Sequence, residues 1–238
     1  MSRLASDTAM ILAAGLGKRM RPLTSTRPKP MVKVWGKPLI DHALDRLADA
    51  GVANAVVNVH YLPDSLEAHV LERDRPKCTI SDERELLLET GGGMVRALPL
   101  LPDPFFCLNS DNLWLEGPVD CFRELSNLWD PQRMDALLLM VSHARSLNYR
   151  GLGDFHLDPA GKVSRRRGNR VAPFIYTGIQ LVSHRLLRDA PEGPFSTNVL
   201  WDRAIAEGRL YGTTFAGQWF EVGEPAAIAA TEAALSSA

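Results

Sequence analysis

Short apolar runs that stop at glycines or polar clusters alternate, along the first half of this chain, with segments whose apolar residues recur every three or four positions. Ala9–Ala13 is an apolar run ending ahead of Gly15 and Gly17, the pattern of a buried strand entering a loop. Leu39, Ile40, Ala43, Leu44 and Leu47 fall at helical spacing within Pro38–Ala50, and Gly51 supplies a stop. Ala55–Val59 predicts a second strand, and Asp64–Glu72 a second helix with Asp64 as its N-cap. Phe105–Leu108 and Ala136–Val141 predict further strands. Strand and helix in alternation predict a parallel sheet with helices on both faces. Such a sheet binds ligands at the carboxyl ends of its strands, near the point where strand order reverses, here just after Ala13 and just after Leu108. Asp154–Ser183 mixes short β-like runs with turns such as Asp158-Pro-Ala-Gly161, an antiparallel addition, and Asn198–Glu207 and Pro225–Leu235 predict two last helices.

Composition narrows the classes. At 238 residues and 45% hydrophobic, the chain can bury about 70% of its unfolded surface in one core. Disorder, collagen-like repeats and a disulfide scaffold are excluded, and one domain spanning residues 1–238 is the expectation. Twenty-seven basic and 28 acidic residues leave a net charge of −1, against a generic nucleic-acid or membrane-surface partner. No run approaches the roughly 20 apolar residues of a membrane helix. Met1–Thr8 lacks the basic start and apolar stretch of a signal peptide. Cys78, Cys107 and Cys121 are widely spaced with no CxxC, so neither disulfides nor zinc is expected, and a reducing cytoplasmic setting is.

The chemistry gathers after the first strand. Residues 13–22 read Ala-Ala-Gly-Leu-Gly-Lys-Arg-Met-Arg-Pro, a small-residue turn whose N–H groups can approach an anion closely. It is not a P-loop, because Leu12 stands where the first glycine belongs and Arg19 follows Lys18. It is not a dinucleotide fingerprint either, because Met20 replaces the third glycine. Lys18, Arg19, Arg21, Arg27, Lys29, Lys33 and Lys37 form a stretch with no acid, leaving 20 basic against 28 acidic residues elsewhere. A positive pocket in an otherwise acidic chain points to a small polyanion, and Pro28 and Pro30 restrain the backbone on both sides of Lys29. Phe105–Asn112 runs from an apolar strand into Asn109-Ser-Asp-Asn112, so Asp111 is a candidate ligand for a hard cation such as Mg²⁺, or a turn residue. Glu221, in Gln218-Trp-Phe-Glu-Val-Gly223, is a second candidate acid, or a surface strand residue.

Taken together these segments resemble the sugar-1-phosphate nucleotidyltransferases. The resemblance rests on Met10-Ile-Leu-Ala-Ala-Gly-Leu-Gly-Lys-Arg-Met-Arg-Pro-Leu-Thr24, Pro28-Lys29-Pro30 and Gly36-Lys-Pro-Leu-Ile40. Leu88-Glu-Thr-Gly-Gly-Gly93, Asn109-Ser-Asp111, Gly151-Leu-Gly-Asp-Phe155 and Trp219-Phe-Glu-Val-Gly223 complete it, in the family's order. It implies a Rossmann-like α/β fold with a mostly parallel, mixed sheet. The implied reaction is NTP plus sugar 1-phosphate giving NDP-sugar and pyrophosphate, with Mg²⁺ as cofactor and small molecules as the only partners. UMP transfer to N-acetylmuramic acid 1-phosphate, as in cell-wall recycling, is the first expectation. Guanylyl or other nucleotidyl transfer to mannose or heptose 1-phosphate is the alternative, and a catalytically silent nucleotide-sugar sensor is a second. By the same resemblance Gly15, Gly17 and Lys18 cradle the triphosphate, Arg19 holds the departing pyrophosphate, and Lys29 stabilises the α-phosphate. Ala13, Ala14 and Gly92 frame the base, Asn109 lies beside nucleotide or sugar, Asp154 and Thr177 contact the sugar, and Asp111 binds Mg²⁺. Glu221 departs from the family, which has Asp as second metal ligand; its carboxylate, one methylene further out, is expected to reach the ion still.

Arg165-Arg-Arg-Gly-Asn-Arg170 puts four arginines in six residues around a Gly-Asn turn. It reads first as a solvated hairpin tip, with a grip on an acidic sugar substituent or on a partner as the alternative. The five tryptophans read as core.

Overall fold

The computed structural model describes residues 3–236, so the reading of Met1–Thr8 as no leader lies in part, at Met1 and Ser2, outside the described residues. The chain opens with β1 (Thr8–Leu12), a small ribbon of β2 (Lys33–Val34) and β3 (Lys37–Pro38), and helix α1 (Leu39–Ala50). Then come β4 (Asn54–Val59), α2 (Pro63–Leu71), β5 (Lys77–Asp82), α3 (Glu89–Ala97), β6 (Phe105–Asn109) and β7 (Asn112–Leu115). The second half carries α4 (Cys121–Leu128), β8 (Ala136–Ser142), β9 (Ser146–Leu147), β10 (Phe155–Leu157), β11 (Val163–Arg165) and β12 (Phe174–Val182). Helix α5 (Asn198–Ala206), β13 (Leu210–Thr214), β14 (Gln218–Glu221) and α6 (Pro225–Leu235) close it.

The main sheet has nine strands. Its path runs β11-β10-β12-β6-β1-β4-β5, with β8 joined to β12 and β13 to β8. Strands β5, β4, β1 and β6 are mutually parallel, while β12 lies antiparallel to β6 and to β8. The expected mixed sheet is therefore present, and β10 and β11 form the antiparallel addition beyond β12. Alternation on β1 sends Ala9 and Ile11 to one face and Met10 to the other. The first face packs against Ile40, Leu44 and Leu47 of α1, Leu66 of α2, and Phe122 and Leu125 of α4. The second packs against Met94 of α3 and Leu200 and Trp201 of α5. Each fully buried Leu, Ile or Phe contributes about 2 kcal/mol, so both layers are pinned to the sheet independently.

Chain order sets the site. From β1 the chain adds β4 and then β5 on one side, and only then places β6 on the other. The reversal point is the β1–β6 crevice, where Leu12 pairs with Asn109 and the Ser110 N–H donates to the Leu12 carbonyl at 3.2 Å. Both segments singled out from the sequence, after Ala13 and after Leu108, thus emerge side by side. A separate three-stranded sheet, β7-β14-β9, stands next to this edge and pairs Glu221 with Asn112.

Two expectations need correction, and one helix escapes the sequence pattern. Asp64 does not cap α2: Leu62 holds the cap position at φ +47°, Pro63 occupies the first turn with its φ already set, and Asp64 is exposed and pairs with Arg84 at 3.4 Å. Helix α3 contains Gly91, Gly92 and Gly93, each costing about 1 kcal/mol of helix propensity, so the pattern hides it. The glycines are needed for closeness; a Cβ at Gly93 would sit 2.8 Å from the Glu83 carboxylate and 2.9 Å from the Asn58 amide. The tryptophans are not all core: Trp35 is 57% exposed at φ +51°. No helix among the described residues is long and apolar enough to cross a membrane.

Candidate active site

A cavity of about 390 Å³ opens at the β1–β6 crevice, lined by Ala13, Ala14 and Gly15 on one wall and by Asn109, Ser110 and Asp111 on the other. Lys29 closes it from the loop. A short 3₁₀ turn over Lys29–Met31 begins between the two prolines, and its ammonium donates to Asp111 Oδ2 at 2.6 Å with only 13% of the side chain exposed. Gly17, at φ +59°, lets the basic loop fold onto that turn; a Cβ there would meet Thr24 at 2.9 Å and Lys29 at 3.1 Å. Thr24 Oγ1 locks the fold by donating to the Gly17 carbonyl at 2.8 Å.

A second cation–acid pair stands beside the first. Arg19 Nη1 lies 3.6 Å from Glu221 Oε1, with the arginine side chain 71% exposed and the glutamate 27%. Because Glu221 registers with Asn112 across β14 and β7, it lies diagonally opposite Asp111. The two acids therefore belong to one edge, each facing a cation from the basic loop.

The Ala13 wall has a buried support that the sequence reading did not single out. Asn58 Oδ1 accepts from the Ala13 N–H at 2.6 Å, and its amide donates to Glu83 Oε1 at 2.7 Å. Glu83 Oε2 in turn accepts from the Leu88 N–H at 3.1 Å. Asn58 and Glu83 are 2% and 3% exposed. Buried polar groups survive only when satisfied, so this chain of bonds fixes where the Ala13 backbone points. The available signal was Asn58 itself, a polar residue in the apolar run Ala55–Val59.

A second cavity, of about 300 Å³, adjoins the first and shares Leu12, Thr90, Asn109 and Ser196 with it. Asp154 lines it, with Oδ2 accepting from the Tyr176 N–H at 2.9 Å. Burial, then the negative charge of Asp154, raises the Tyr149 phenol above its ordinary range, and that phenol oxygen accepts from the Gly153 N–H at 3.1 Å. It therefore stays neutral beside the acid.

Several expected residues lie elsewhere. Lys18, Arg21, Arg27 and Lys33 are exposed and do not line the first cavity, and Lys37 pairs with Asp45 at 2.5 Å away from it. The seven-cation stretch thus delivers one lining cation, Lys29; Arg19, exposed and also outside the cavity lining, faces Glu221. Gly92 frames no cavity wall; it is buried against the 193–195 loop, where a Cβ would sit 2.6 Å from the Gly193 carbonyl. Thr177 is fully buried, its hydroxyl donating to the Leu139 carbonyl at 2.8 Å and its own carbonyl accepting from Asn112 and Trp219. It is a support beneath the cavities. Of the arginine run, Arg167 and Arg170 form the exposed tip as expected, but Arg165 turns back into the second cavity.

The family model for nucleotidyl transferase matches residues 8–123. Over 98% of this chain and 99% of the relative, the sequence is 46% identical to an N-acetylmuramate alpha-1-phosphate uridylyltransferase of Caulobacter vibrioides. The chain belongs to the nucleotidyl transferase family. A Neisseria meningitidis protein of the same name is 34% identical to it over 90% of this chain and 92% of its own. The fold of this nucleotidyl transferase is shared with the inositol-1-phosphate CTP transferase of T. maritima, at a TM-score of 0.81 and 18% identity over 98% of this chain and 96% of that one. The two cavities meet at Leu12, Thr90, Asn109 and Ser196.

Proposed function

We propose that the protein transfers UMP from UTP to N-acetylmuramic acid 1-phosphate. A phosphate oxygen of the acceptor forms the new bond to the α-phosphorus, the α–β bridging bond breaks, and pyrophosphate leaves with that electron pair. The reading is supported above all by the meeting of Lys29 and Asp111 at 2.6 Å in the first cavity, in a chain so close in sequence to a uridylyltransferase. Bringing two polyanions together is the main barrier, so positioning and charge neutralisation supply most of the catalysis. Lys29 is buried enough for its charge to act at low screening, and in this reading that charge stabilises the α-phosphate. Arg19, exposed at the loop, neutralises the departing pyrophosphate. Ala13, Ala14 and Gly15 present backbone edges to the base and phosphates, with Ala13 oriented by Asn58.

Mg²⁺ fits the donor set. Asp111 and Glu221 offer carboxylate oxygens only, and no group of three His, Cys, Asp or Glu converges among the described residues. That suits an ion that takes one or two carboxylates and completes its shell with phosphate oxygens and water. When bound by Asp111 and Glu221 it supplies further neutralisation of phosphate charge.

The test is a pyrophosphate-release assay crossing the four NTPs with N-acetylmuramic acid, N-acetylglucosamine, glucose and mannose 1-phosphates. UTP with N-acetylmuramic acid 1-phosphate is expected to have the highest kcat/KM. Higher efficiency with GTP and mannose 1-phosphate overturns the reading, and nucleotide binding without release above background turns it into a sensor.

A further inference from the structure

The second cavity contains one cation, and its geometry is that of a built receptor. Arg165, at the end of β11, lays its guanidinium 4.9 Å from the Phe155 ring centre and 5.7 Å from that of Trp201. Its Nε donates to Asp202 at 2.7 Å and its Nη2 to the Asn198 carbonyl at 3.2 Å. Trp201 is itself fixed, because its indole N–H donates to Gln180 at 3.1 Å and its ring meets Tyr176 edge-on at 4.8 Å. Two aromatic faces and two hydrogen bonds therefore hold one guanidinium in place. Among the described residues no protein acceptor meets Nη1, and Nη2 has one N–H to spare, so the Nη1–Nη2 edge can present two N–H donors, one from each nitrogen, to a ligand. That edge is the fork that takes a carboxylate in bidentate fashion.

Position says which anion it reads. Arg165 lines the second cavity and not the first, whereas Lys29 and Asp111 line the first and not the second. The transferring phosphates gather at Lys29, so a further anion must be carried at the far end of the acceptor. We infer that Arg165 is the specificity-determining residue that recognises a carboxylate on the acceptor sugar, the lactyl carboxylate of N-acetylmuramic acid. This rests on the function proposed above and deepens it. Arg165 touches neither the nucleotide wall nor the reacting atoms, so it acts through KM of the acid sugar.

The experiment compares wild type, Arg165→Gln and Arg165→Lys with two acceptors that differ only in the lactyl ether, N-acetylmuramic acid 1-phosphate and N-acetylglucosamine 1-phosphate. Charged hydrogen bonds of this kind discriminate by about 10- to 100-fold. Arg165→Gln is expected to shrink the acid-over-neutral ratio of kcat/KM by that factor, through KM of the acid sugar with kcat little changed. Arg165→Lys is expected to fall between, keeping charge without the fork. An unchanged ratio, including equal losses on both sugars as expected if Arg165 only braces β11 against α5, overturns the inference while leaving the uridylyl transfer standing. A wild-type enzyme that uses neither sugar, or prefers the neutral one, defeats the proposed substrate and the inference with it.

Discussion

The two cavities meet at Asn109 but are made of different material. In the first cavity one wall is main chain: Ala13, Ala14 and Gly15 at the end of β1, aimed by Asn58 and Glu83 from beneath, with Lys29 held between prolines. In the second, proposed for the acceptor, the wall is side chain: Asp154 just ahead of β10, Arg165 of β11, Tyr176 and Gln180 of β12, and Trp201 of α5. The first arrangement suits groups common to every nucleoside triphosphate, since backbone amides and a fixed ammonium read charge and position. The second suits discrimination, since one changed side chain alters one contact. The family model covers residues 8–123 and so takes in the first wall and Asp111, while Arg165 and Trp201 lie beyond it. Glu221, on β14, also lies beyond it, so the basic loop meets its second acid only through the fold.

Variants outside the second cavity sharpen that contrast. The largest effect short of the reacting groups is expected from Glu221→Gln. Loss of one carboxylate from a two-carboxylate metal site should raise the Mg²⁺ concentration for half-maximal velocity by about 10- to 100-fold. Unchanged Mg²⁺ dependence would remove Glu221 from the ligand set and leave it as the partner of Arg19 alone. A smaller effect is expected from Asn58→Ala, which frees the Ala13 N–H and removes one partner of the buried Glu83. KM for UTP should rise about 10-fold and stability fall by about 1–3 kcal/mol in urea unfolding, with KM for the acceptor unmoved. A matching rise in the acceptor KM would mean that the two walls are not independent. The smallest effect expected is none at all. Burial pushes Cys107 to about 12 and Cys78 to about 11, and raises Cys121 well above its ordinary value. Raised thiol pKa values mean protonated sulfur at pH 8, with a thiolate fraction of roughly 10⁻⁴ for a pKa near 12. Native protein should therefore resist iodoacetamide at pH 8 and react at all three positions once unfolded, and catalysis should owe nothing to them.

The same division decides what could be read from the sequence. Strand β1, the glycine loop, Lys29 and Asp111 were legible because a run of small residues after an apolar strand has few physical meanings. The order of strands then placed the crevice. Helix α3 was not legible, since its three glycines answer to neighbours far away in the chain, Phe195 and Gly193 on one side and Asn58 on the other. The cation count misled in part: charge along a segment says nothing of which way each side chain turns, and Lys37 finds Asp45 instead of the cavity. Arg165 hid for the same reason, in a run whose other members do form an exposed tip. Its partners Trp201 and Asp202 come from α5, more than thirty positions later, and nothing local announces them.

The central claim is that the Lys29 ammonium, brought against Asp111 in the first cavity, stabilises charge on the transferring phosphoryl group. Its most direct test is the single-turnover rate of pyrophosphate formation by Lys29→Ala, with UTP and N-acetylmuramic acid 1-phosphate both saturating and the melting temperature checked against wild type. The account predicts a rate lower by about 10³-fold in a folded protein. A folded Lys29→Ala enzyme that turns over within about threefold of wild type would contradict it.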